Sequence, residues 1–387
     1  MRIGIDASRA FVENPTGTER YSYEVITRIL QLPEARKHEW ILYTRNSPPA
    51  AADPSLKFSQ ARGFAVREGR GVSYKMRQIS LPYLWTQIGL AWRTWTDNLD
   101  CLWVPAHTLP ILRKPGIRTV VTIHGIEYEW LPAYENWLQR WYLPLSTQYA
   151  VRSATKIIAV SEFTKKQLIE RLGADRNKIN VVHEGVTNTS PSNPSPIIGE
   201  GRKGEVLTKW GLKSKQYLLF VGTVQPRKNL ERLIQAYSAL STKHLALRLV
   251  IAGKLGWMYD DVVEMAKKHG VITTGYTSEA ERYSLLGNAL VYVQPSISEG
   301  FGLPVLEAMA AGVPVVSSNG GALAEVVGDA GVLFDPYDLS DIFDKLSLIV
   351  NSSKLRKELI TKGHQRTKDF SWQMAAERTY NTLISKY

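Results

Sequence analysis

The chain has almost no cysteine: among its 387 residues, Cys101 is the only one. A lone cysteine cannot form an internal disulfide or a cysteine-based metal site, and it is compatible with a reducing compartment. Long apolar runs are also missing, since no stretch of about 18 apolar residues occurs anywhere and a strand-like segment follows Met1 directly. These absences predict a cytoplasmic protein that does not span a membrane.

Several sequence patterns of metal and phosphate chemistry are missing as well. The chain has no Asp-x-Asp triplet, no Cys/His cluster and no Walker pattern. We therefore expect no metal and no cofactor. The one Gly-x-Gly-x-x-Gly match, Gly199–Gly204, follows no predicted strand, which argues against a nicotinamide dehydrogenase.

Charge is in excess on the positive side. The net charge is +12, of which residues 1–190 carry +8 and the remainder +4. Such a surplus favours an anionic partner, which charge alone leaves open among nucleic acid, an acidic membrane surface and a phosphorylated substrate. We expect no nucleic-acid partner, because the sequence has neither a basic stripe nor a recognised nucleic-acid-binding module.

The length suits two domains, and short apolar runs alternate with helical patterns throughout. Several runs are continuous in Val and Ile, as parallel strands covered on both faces are. The alternation predicts an α/β protein with two doubly wound sheets, whose ligands bind beyond the carboxyl ends of the strands. A segment rich in Ser, Pro, Asn and Gly indicates a linker at residues 191–204, between domains at 1–190 and 205–371. The predicted strands are Arg2–Asp6, Trp40–Thr44, Leu99–Val104, Val120–His124, Lys156–Ser161, Ile179–His183, Tyr217–Val221, Arg248–Gly253, Val271–Thr274, Leu290–Gln294, Val313–Ser317 and Val332–Phe334.

The segment GTVQPRKN, Gly222–Asn229, lies between a predicted strand and a predicted helix. Gly222 gives backbone freedom at the strand end, and Asn229 is placed to cap the helix. Arg227 and Lys228 stand just before the positive end of the helix, which is unfavourable unless an anion binds between them. A phosphate or diphosphate fits that position, while a solvated basic turn is the alternative.

The segment SEGFGLPVLEAMAAGVPVV, Ser298–Val316, carries Glu299 and Glu307 with Gly300, Gly302 and Pro304 between them. The glycines and the proline predict a loop with exposed amides that leads into a helix. Ionised carboxylates accept hydrogen bonds only, so the pair suits ribose or hexose hydroxyls. The alternative is one surface glutamate and one capping glutamate.

Two weaker signals lie in the first half. His124 follows an apolar strand in TIHGIEY, where it could bond a phosphate or a sugar hydroxyl or could be a turn histidine held by backbone. Gly17, in NPTGTERYSYEV, begins the first predicted helix, where its amide could approach a phosphate or simply form a turn.

Together, these four segments resemble the GT-B glycosyltransferases of family 4, a family with a retaining mechanism. Further matches are VSEFTKKQL, VVHEGV, AGKLGW and GYTSEAE, so the resemblance runs along essentially the whole chain. It implies two Rossmann-like domains that face each other across a cleft, with a last helix, about Trp372–Tyr387, that packs back on the first domain. It also implies hexosyl transfer from a nucleotide-sugar donor without a metal.

The resemblance implies roles for single residues. Arg227 and Lys228 would bind the donor diphosphate, Glu307 the ribose hydroxyls, and His124 would lie beside the reacting centre. Glu299 would position the donor or give electrostatic support. The remaining donor-binding residues that it implies are Gly17, Gly222, Lys254, Tyr276, Gly300, Phe301, Gly302 and Leu303.

The acceptor is less determined by the sequence. Basic and aromatic residues mix in 62–95, as in surfaces that rest on an anionic bilayer, although the aromatics could simply pack in the domain. We expect a saccharide or lipid-linked saccharide acceptor and peripheral contact with the inner face of the plasma membrane. By the frequency of donors in the family that the chain resembles, mannose from GDP-mannose is the first expectation for the donor and a UDP-hexose the second. Alternatives are a nucleotide-sugar epimerase of the same architecture and a non-catalytic sugar-nucleotide-binding subunit. The residues that carry the membrane expectation are Arg62, Arg67, Arg70, Lys75, Arg77, Tyr83, Trp85, Trp92, Arg93 and Trp95.

Overall fold

The computed structural model describes residues 1–12, 15–45, 57–59, 64–66, 72–81, 83–126, 137–187 and 200–385. By its contacts the chain divides into two compact units. Unit 1 consists of Met1–Tyr128, Asn136–Gly185 and Trp372–Tyr387, and unit 2 consists of Glu129–Glu135 and Val186–Ser371. Each unit contains one sheet, as the βα alternation predicts.

The sheet of unit 1 has nine strands among the described residues, in the order β3-β4-β5-β2-β1-β6-β7-β8-β9. Pairing is parallel except at the β3–β4 and β4–β5 edge, where it is antiparallel. The apolar run in β7 is buried along its whole length, which explains its continuous Val/Ile pattern. The strands are β1 Arg2–Asp6, β2 Glu39–Thr44, β3 Lys57–Ser59, β4 Phe64–Val66, β5 Tyr74–Gln78, β6 Cys101–Val104, β7 Arg118–Ile123, β8 Lys156–Ala159 and β9 Ile179–Val181.

The helices of unit 1 flank this sheet. Helix α4 begins after Ser161, whose side chain accepts from the Thr164 amide, and it ends at Gly173 in the left-handed conformation. The last helix of the chain packs on α1, where Tyr21 and Trp372 make an edge contact, and Arg118 donates to the Thr382 carbonyl near its carboxyl end. The helices are α1 Gly17–Ile29, α2 Ala91–Thr96 with a preceding π-helix at Trp85–Leu90, α3 Trp137–Ser153, α4 Glu162–Leu172 and α13 Trp372–Ile384, with 3-10 turns at Pro33–Lys37 and Arg176–Lys178.

The sheet of unit 2 has six strands among the described residues, all parallel, in the order β12-β11-β10-β13-β14-β15. This is the doubly wound order, in which the direction of strand addition reverses between β10 and β13. The strands are β10 Tyr217–Val221, β11 Arg248–Ala252, β12 Ile272–Gly275, β13 Val291–Gln294, β14 Val315–Ser318 and β15 Gly331–Phe334.

Helices cover the sheet of unit 2. Successive strand residues point to opposite faces, and those of one face pack with α6, α7 and α11 in a single apolar cluster. Helix α6 presents Leu230, Leu233, Ile234, Tyr237 and Leu240 to this cluster, as its helical spacing predicts. The helices are α5 Glu200–Lys209, α6 Leu230–Ser241, α7 Asp260–Lys268, α8 Glu279–Asn288, α9 Leu303–Ala310, α10 Leu323–Val327, α11 Leu339–Asn351 and α12 Ser353–Arg366, with 3-10 turns at Pro226–Lys228 and Thr367–Asp369.

Each predicted strand is present to within two residues at each end. The linker at 191–204 needs a correction, because a helix begins at Glu200, although residues 191–199 lie outside the described ones. This helix, Glu200–Lys209, includes Val206 and Leu207. The sequence did not predict its first turns, because the glycines there interrupt the helical pattern. Strand β5 was also missed, because its alternating Lys75 and Arg77 were interpreted as surface charge.

The described part of the chain contains no helix with both the length and the hydropathy needed to cross a bilayer.

Candidate active site

The candidate donor site lies at the carboxyl ends of β10 and β13 in unit 2. These strands are neighbours at the point where the strand order reverses, and ligands of doubly wound sheets bind at such points. The segment with Arg227 and Lys228 follows β10, and the segment with Glu299 follows β13. The fold therefore brings the two motifs with the strongest sequence signals to one place.

A 3-10 turn at Pro226–Lys228 carries the two cations. The carbonyl of Arg227 accepts from the Ile297 amide at 2.8 Å, which ties this turn to the segment after β13. Asn229 is the N-cap residue of α6, as predicted, but its side chain makes no capping hydrogen bond. Its backbone is left-handed, and its side-chain amide donates to the carbonyls of Pro295 and Pro336 at 3.1 and 2.8 Å.

Glu299 joins both cations. Its Oε2 accepts from Arg227 Nη1 at 2.6 Å, and its Oε1 accepts from Lys228 Nζ. The side chains of Arg227, Lys228 and Glu299 are 16%, 10% and 9% exposed. Two cations and one carboxylate leave a surplus of one positive charge in a mostly buried place, which suits an anionic ligand.

A second group of buried polar side chains supports Glu299. Ser296 Oγ and Gln294 Nε2 donate to its Oε1 at 2.7 and 3.0 Å, and Tyr292 donates to the Gln294 amide oxygen. Burial works to raise the pKa of Glu299, but Arg227, Lys228 and these hydrogen bonds outweigh it and hold that pKa well below its ordinary value. The carboxylate is therefore ionised at neutral pH.

Sequence reasoning missed these supporting residues. Gln294 could have been found, because it is a polar residue that closes the apolar strand β13. Gln225, before the cationic turn, packs against Arg227, and with its amide oxygen turned toward the guanidinium it accepts from Nε and Nη2 at 2.9 and 3.2 Å.

The loop that leads into α9 depends on glycines on both sides. Gly302 has φ 116°, and a Cβ on it would lie 2.8 Å from Leu323. Gly321, which the sequence analysis did not single out, has φ +66°, and its Cβ would lie 2.5 Å from the backbone of Glu299. The amide of Ala322 donates to the Glu299 carbonyl at 2.9 Å, so the turn at 320–322 holds the Glu299 loop.

The remaining residues of this loop have defined places. Gly300, Phe301 and Leu303 are buried, and the Phe301 ring meets Phe370 edge-on with centroids 5.7 Å apart. The helix α9 begins at Leu303, with Gly302 at its cap position and Pro304 at its second residue. The predicted loop–helix turn is therefore present.

Glu307 lies in the second turn of α9 and is 2% exposed. Its carboxylate accepts from Arg282 Nη1, on α8. Arg282 was not expected, since it lies one residue after the GYTSEAE match and carries no signal of its own. Because the pair brings a cation to the carboxylate predicted to hold ribose, Arg282 belongs to the candidate site.

The carboxyl ends of β10, β11 and β12 approach each other closely. A Cβ on Gly253 would lie 2.0 Å from the carbonyl oxygen of Gly222, so these two backbones meet where no side chain fits. Beyond them, the Lys254 ammonium lies 5.0 Å from the centroid of the Tyr276 ring. Gly222, Lys254 and Tyr276 are thus neighbours on the loops of these strands.

Unit 1 holds the other predicted site residues. His124 follows β7, and its Nδ1 lies 2.9 Å from Oε1 of Glu184 and its Nε2 3.0 Å from the Pro105 carbonyl. Gly17 begins α1 after Thr16, whose amide is bound by the Glu19 carboxylate. Glu184 was missed as a site residue, although the sequence analysis noted its segment VVHEGV.

No group of three or more His, Cys, Asp or Glu side chains suited to a metal occurs in the ranges that the structure describes. Arg227, Lys228 and Arg282 bring positive charge to the candidate site, where Arg227 and Lys228 pair with Glu299 and Arg282 pairs with Glu307. Fixed cations and loop amides of this kind can stabilise charge that develops on a leaving phosphate oxygen.

Two family models match the chain. Residues 15–189 match "Glycosyltransferase Family 4", and residues 205–366 match "Glycosyl transferases group 1". Among curated proteins, the chain is similar to O-antigen chain mannosyltransferase B of Escherichia coli, with 30% identity over 375 residues and 95% coverage of both chains. It is also similar to the capsular polysaccharide biosynthesis glycosyltransferase CapM of Staphylococcus aureus, with 27% identity over 277 residues, 69% of this chain and 71% of CapM.

Solved structures show the same fold. WaaG, a glycosyltransferase involved in lipopolysaccharide biosynthesis, superposes with a TM-score of 0.69 at 16% identity over 100% of both chains. HepE of Anabaena, in complex with UDP and glucose, superposes with a TM-score of 0.70 at 15% identity over 100% of this chain and 99% of HepE. The predicted GT-B fold class is confirmed, and the chain belongs to the group 1 glycosyltransferases of family 4.

Proposed function

We propose that the chain transfers a hexose, with retention of anomeric configuration, from a nucleotide-sugar donor to a saccharide or lipid-linked saccharide acceptor. The observation that carries this proposal is the set of Arg227, Lys228 and Glu299 at the point of reversal in the sheet of unit 2. Its surplus positive charge would bind the donor diphosphate, and the Glu307 carboxylate would accept from ribose hydroxyls.

The same set supports chemistry without a metal. When the bond between sugar and diphosphate breaks, negative charge develops on the leaving oxygen, and cations that are already in place stabilise it without reorganisation. The amides at Gly300–Gly302 would add donors toward the sugar or phosphate, and Gly17 would approach the phosphate from unit 1. His124 would lie beside the reacting centre, and no cofactor would be needed.

For the donor, we favour GDP-mannose and place a UDP-hexose second. The mannose proposal is supported by mannosyltransferase B and by the serotype-specific mannosyltransferase WbdA of Escherichia coli, 31% identical over 168 residues. The UDP alternative is supported by HepE, whose structures contain UDP, glucose or UDP-glucose. Mannosyltransferase B, CapM and WaaG, by their names, also favour a role in surface polysaccharide or glycolipid synthesis.

For the acceptor side, unit 1 supplies a surface that we call the apolar patch. Ile88, Trp92 and Trp95 recur at helical spacing and are 53%, 66% and 51% exposed. Trp95 donates to the Leu112 carbonyl at 3.1 Å, and the Ile111 amide donates to Gln87 at 3.0 Å, so the loop at 111–112 adjoins this helix face. The apolar patch consists of Ile88, Trp92, Trp95, Ile111 and Leu112.

Other residues named for the membrane expectation divide into four groups. Trp85 is 1% exposed and belongs to the core, so its proposed surface role was wrong. Lys75 pairs with Glu39 at 2.7 Å and Arg77 with Asp97 at 2.6 Å. Arg62, Arg67 and Arg70 lie outside the described residues, whereas Tyr83 is 84% exposed.

We propose that the apolar patch, with Arg93 between its two tryptophans on α2 and Lys114 two residues after Leu112, rests on an anionic bilayer and so gives access to a lipid-linked acceptor. Exposed tryptophans beside cations are typical of surfaces that lie in a membrane interface. A peripheral position on the inner face of the plasma membrane would follow.

The donor proposal is tested by incubating the purified protein with GDP-mannose or UDP-glucose, with and without mannose-terminated oligosaccharides. We expect nucleotide release that depends on the acceptor and a product whose anomeric coupling in NMR shows retention. Lys228→Ala should lower kcat by about 100-fold or more, as loss of one stabilising charge does at such sites. Lys345→Ala, which removes a half-buried cation of the same unit that pairs with Asp341 on α11, should leave the rate unchanged.

Two results would contradict the proposal. Conversion of the donor sugar without an acceptor and without nucleotide release would indicate an epimerase. Binding of donor without any turnover, across a broad acceptor set, would indicate a non-catalytic subunit.

A further inference from the structure

His124 is held between two hydrogen-bond acceptors. Its Nδ1 lies 2.9 Å from the Glu184 carboxylate, and its Nε2 lies 3.0 Å from the Pro105 carbonyl. The side chains of His124 and Glu184 are only 11% and 6% exposed, so water screens their contact little. The partners come from three places in unit 1: Glu184 follows β9, His124 follows β7 and Pro105 follows β6.

The two acceptors restrict where the ring carries protons. A carboxylate and a carbonyl both need a donor, and a neutral imidazole has a single N–H. A hydrogen bond to an ionised group is about twice as strong as a neutral one, so Glu184 takes precedence over Pro105. Nδ1 is therefore the nitrogen that carries the proton of the neutral ring.

Aromatic neighbours hold the ring in place. Tyr21 meets it edge-on, with centroids 4.7 Å apart and planes at 84°. The ring of His107 lies 5.9 Å away, and burial, followed by the charge of His124, lowers the pKa of His107 to about 3. His107 is thus neutral and does not compete for Glu184 as a cation.

We propose that Glu184 is a positioning residue that fixes the orientation of the His124 ring and keeps its proton on Nδ1, so that Nε2 is the nitrogen turned away from the carboxylate. This inference rests on the proposed function, in which His124 lies beside the reacting centre. In that orientation Nε2 is the ring nitrogen that would meet the donor phosphate or sugar. Without Glu184, the proton would move to Nε2, where the Pro105 carbonyl accepts it, and the ring would lose its fixed orientation.

Nitrogen NMR of histidine-labelled protein without donor tests the pair directly. The chain has 7 histidines, and the signals of His124 are assigned by their loss in His124→Gln. We expect a protonated Nδ1 in the wild type and in Glu184→Gln, whose amide oxygen still accepts. In Glu184→Met, which is similar in length and accepts nothing comparable, the proton should move from Nδ1 to Nε2.

The control variant is Glu162→Met, which removes a carboxylate of the same unit whose side chain is 64% exposed. Its His124 signals should match those of the wild type. Thermal unfolding shows whether each variant is folded. Identical Nδ1 protonation in wild type and Glu184→Met would overturn the proposal.

Kinetics give the second readout. In Glu184→Met, kcat should fall by about 10- to 100-fold, the range for losing a hydrogen bond to a charged group, with KM for the donor unchanged. Glu184→Gln should lie between that variant and the wild type. If Glu184→Met does not fold, Glu184→Ala takes its place, and protonation of Nδ1 equal to that of the wild type overturns the proposal. Absence of transfer by the wild type would refute the proposed function, while the NMR spectra would still decide on the pair.

Discussion

Glu299 is ionised in a buried place because its partners outweigh the cost of burial. A lone carboxylate there would be protonated, but Arg227 and Lys228 lower its pKa well below the ordinary value of 4.5. A pKa that is lower in the folded than in the unfolded chain stabilises the fold above the unfolded value. That contribution is lost as the pH falls through the interval between the two values.

This argument predicts how acid affects Glu299→Gln. Above about pH 5, the wild type should exceed the variant in free energy of unfolding by a constant amount. Below pH 4.5 the difference should shrink, because the wild-type carboxylate must take up a proton and the glutamine cannot. Urea unfolding of both proteins at a series of pH values from 3 to 7 measures it. Glu264→Gln, at an exposed carboxylate of unit 2, is the control. A difference that grew toward acid would refute the assigned direction of the pKa shift.

At the residue scale, the sequence predicted groups whose role is visible in their own segment. Arg227 and Lys228 stand out because cations precede a helix, and Glu299 because glycines follow it. Arg282 and Glu184 could not be found in this way. Arg282 is defined by its partner Glu307, 25 residues away, and Glu184 by its partner His124, 60 residues away. A charged residue in a helix or loop shows no distinctive pattern until its partner is known.

At the scale of elements, the loop between β13 and α9 has its shape imposed by a turn from another part of the chain. The turn at 320–322 follows β14 and packs its backbone directly on Glu299. A glycine is needed there for two reasons, the left-handed backbone of Gly321 and the lack of room for a Cβ. The two reasons can be separated, because Gly270 has nearly the same φ, +64° against +66°, and nothing within 4 Å of its Cβ position.

We therefore expect Gly321→Ala and Gly270→Ala to differ. Both should lose about 1–3 kcal/mol of stability through backbone strain. Only Gly321→Ala should also lower donor affinity and kcat, because its methyl group displaces the loop that positions Glu299 against Arg227 and Lys228. Donor titration and initial rates of the two variants measure this effect. Equal activities would mean that the 320–322 turn does not position the loop.

The elements that the sequence predicted best are those with a local cause. Buried parallel strands are continuous apolar runs, and the two ends of α4 are marked in the sequence by a serine cap and a terminal glycine. Helix α5 and strand β5 were missed for the opposite reason. Glycines interrupt the pattern of α5, and β5 is an alternating strand next to an antiparallel edge, where cross-strand ion pairs such as Lys75–Glu39 satisfy its charges.

At the scale of the whole molecule, the distribution of charge and apolar surface differs between the units. Residues 1–190 carry +8 of the net +12, and the apolar patch lies in unit 1. Charge and apolar side chains attract a protein to an anionic bilayer by different forces, since salt screens the first and leaves the second largely intact. The two contributions can thus be measured separately.

We predict that the protein sediments with vesicles that contain phosphatidylglycerol and that high salt weakens this binding strongly. The double variant Trp92→Ala/Leu112→Ala should bind at least about tenfold more weakly, because burial of one large apolar side chain contributes about 1.5–3 kcal/mol. Leu245→Ala is the matched control: Leu245 is 81% exposed, as apolar as Leu112, and lies in unit 2, so its loss should leave binding unchanged. Equal binding of all three proteins would remove the apolar patch from the proposal. Equal binding to neutral and anionic vesicles would show that the net positive charge of residues 1–190 does not contribute to membrane binding.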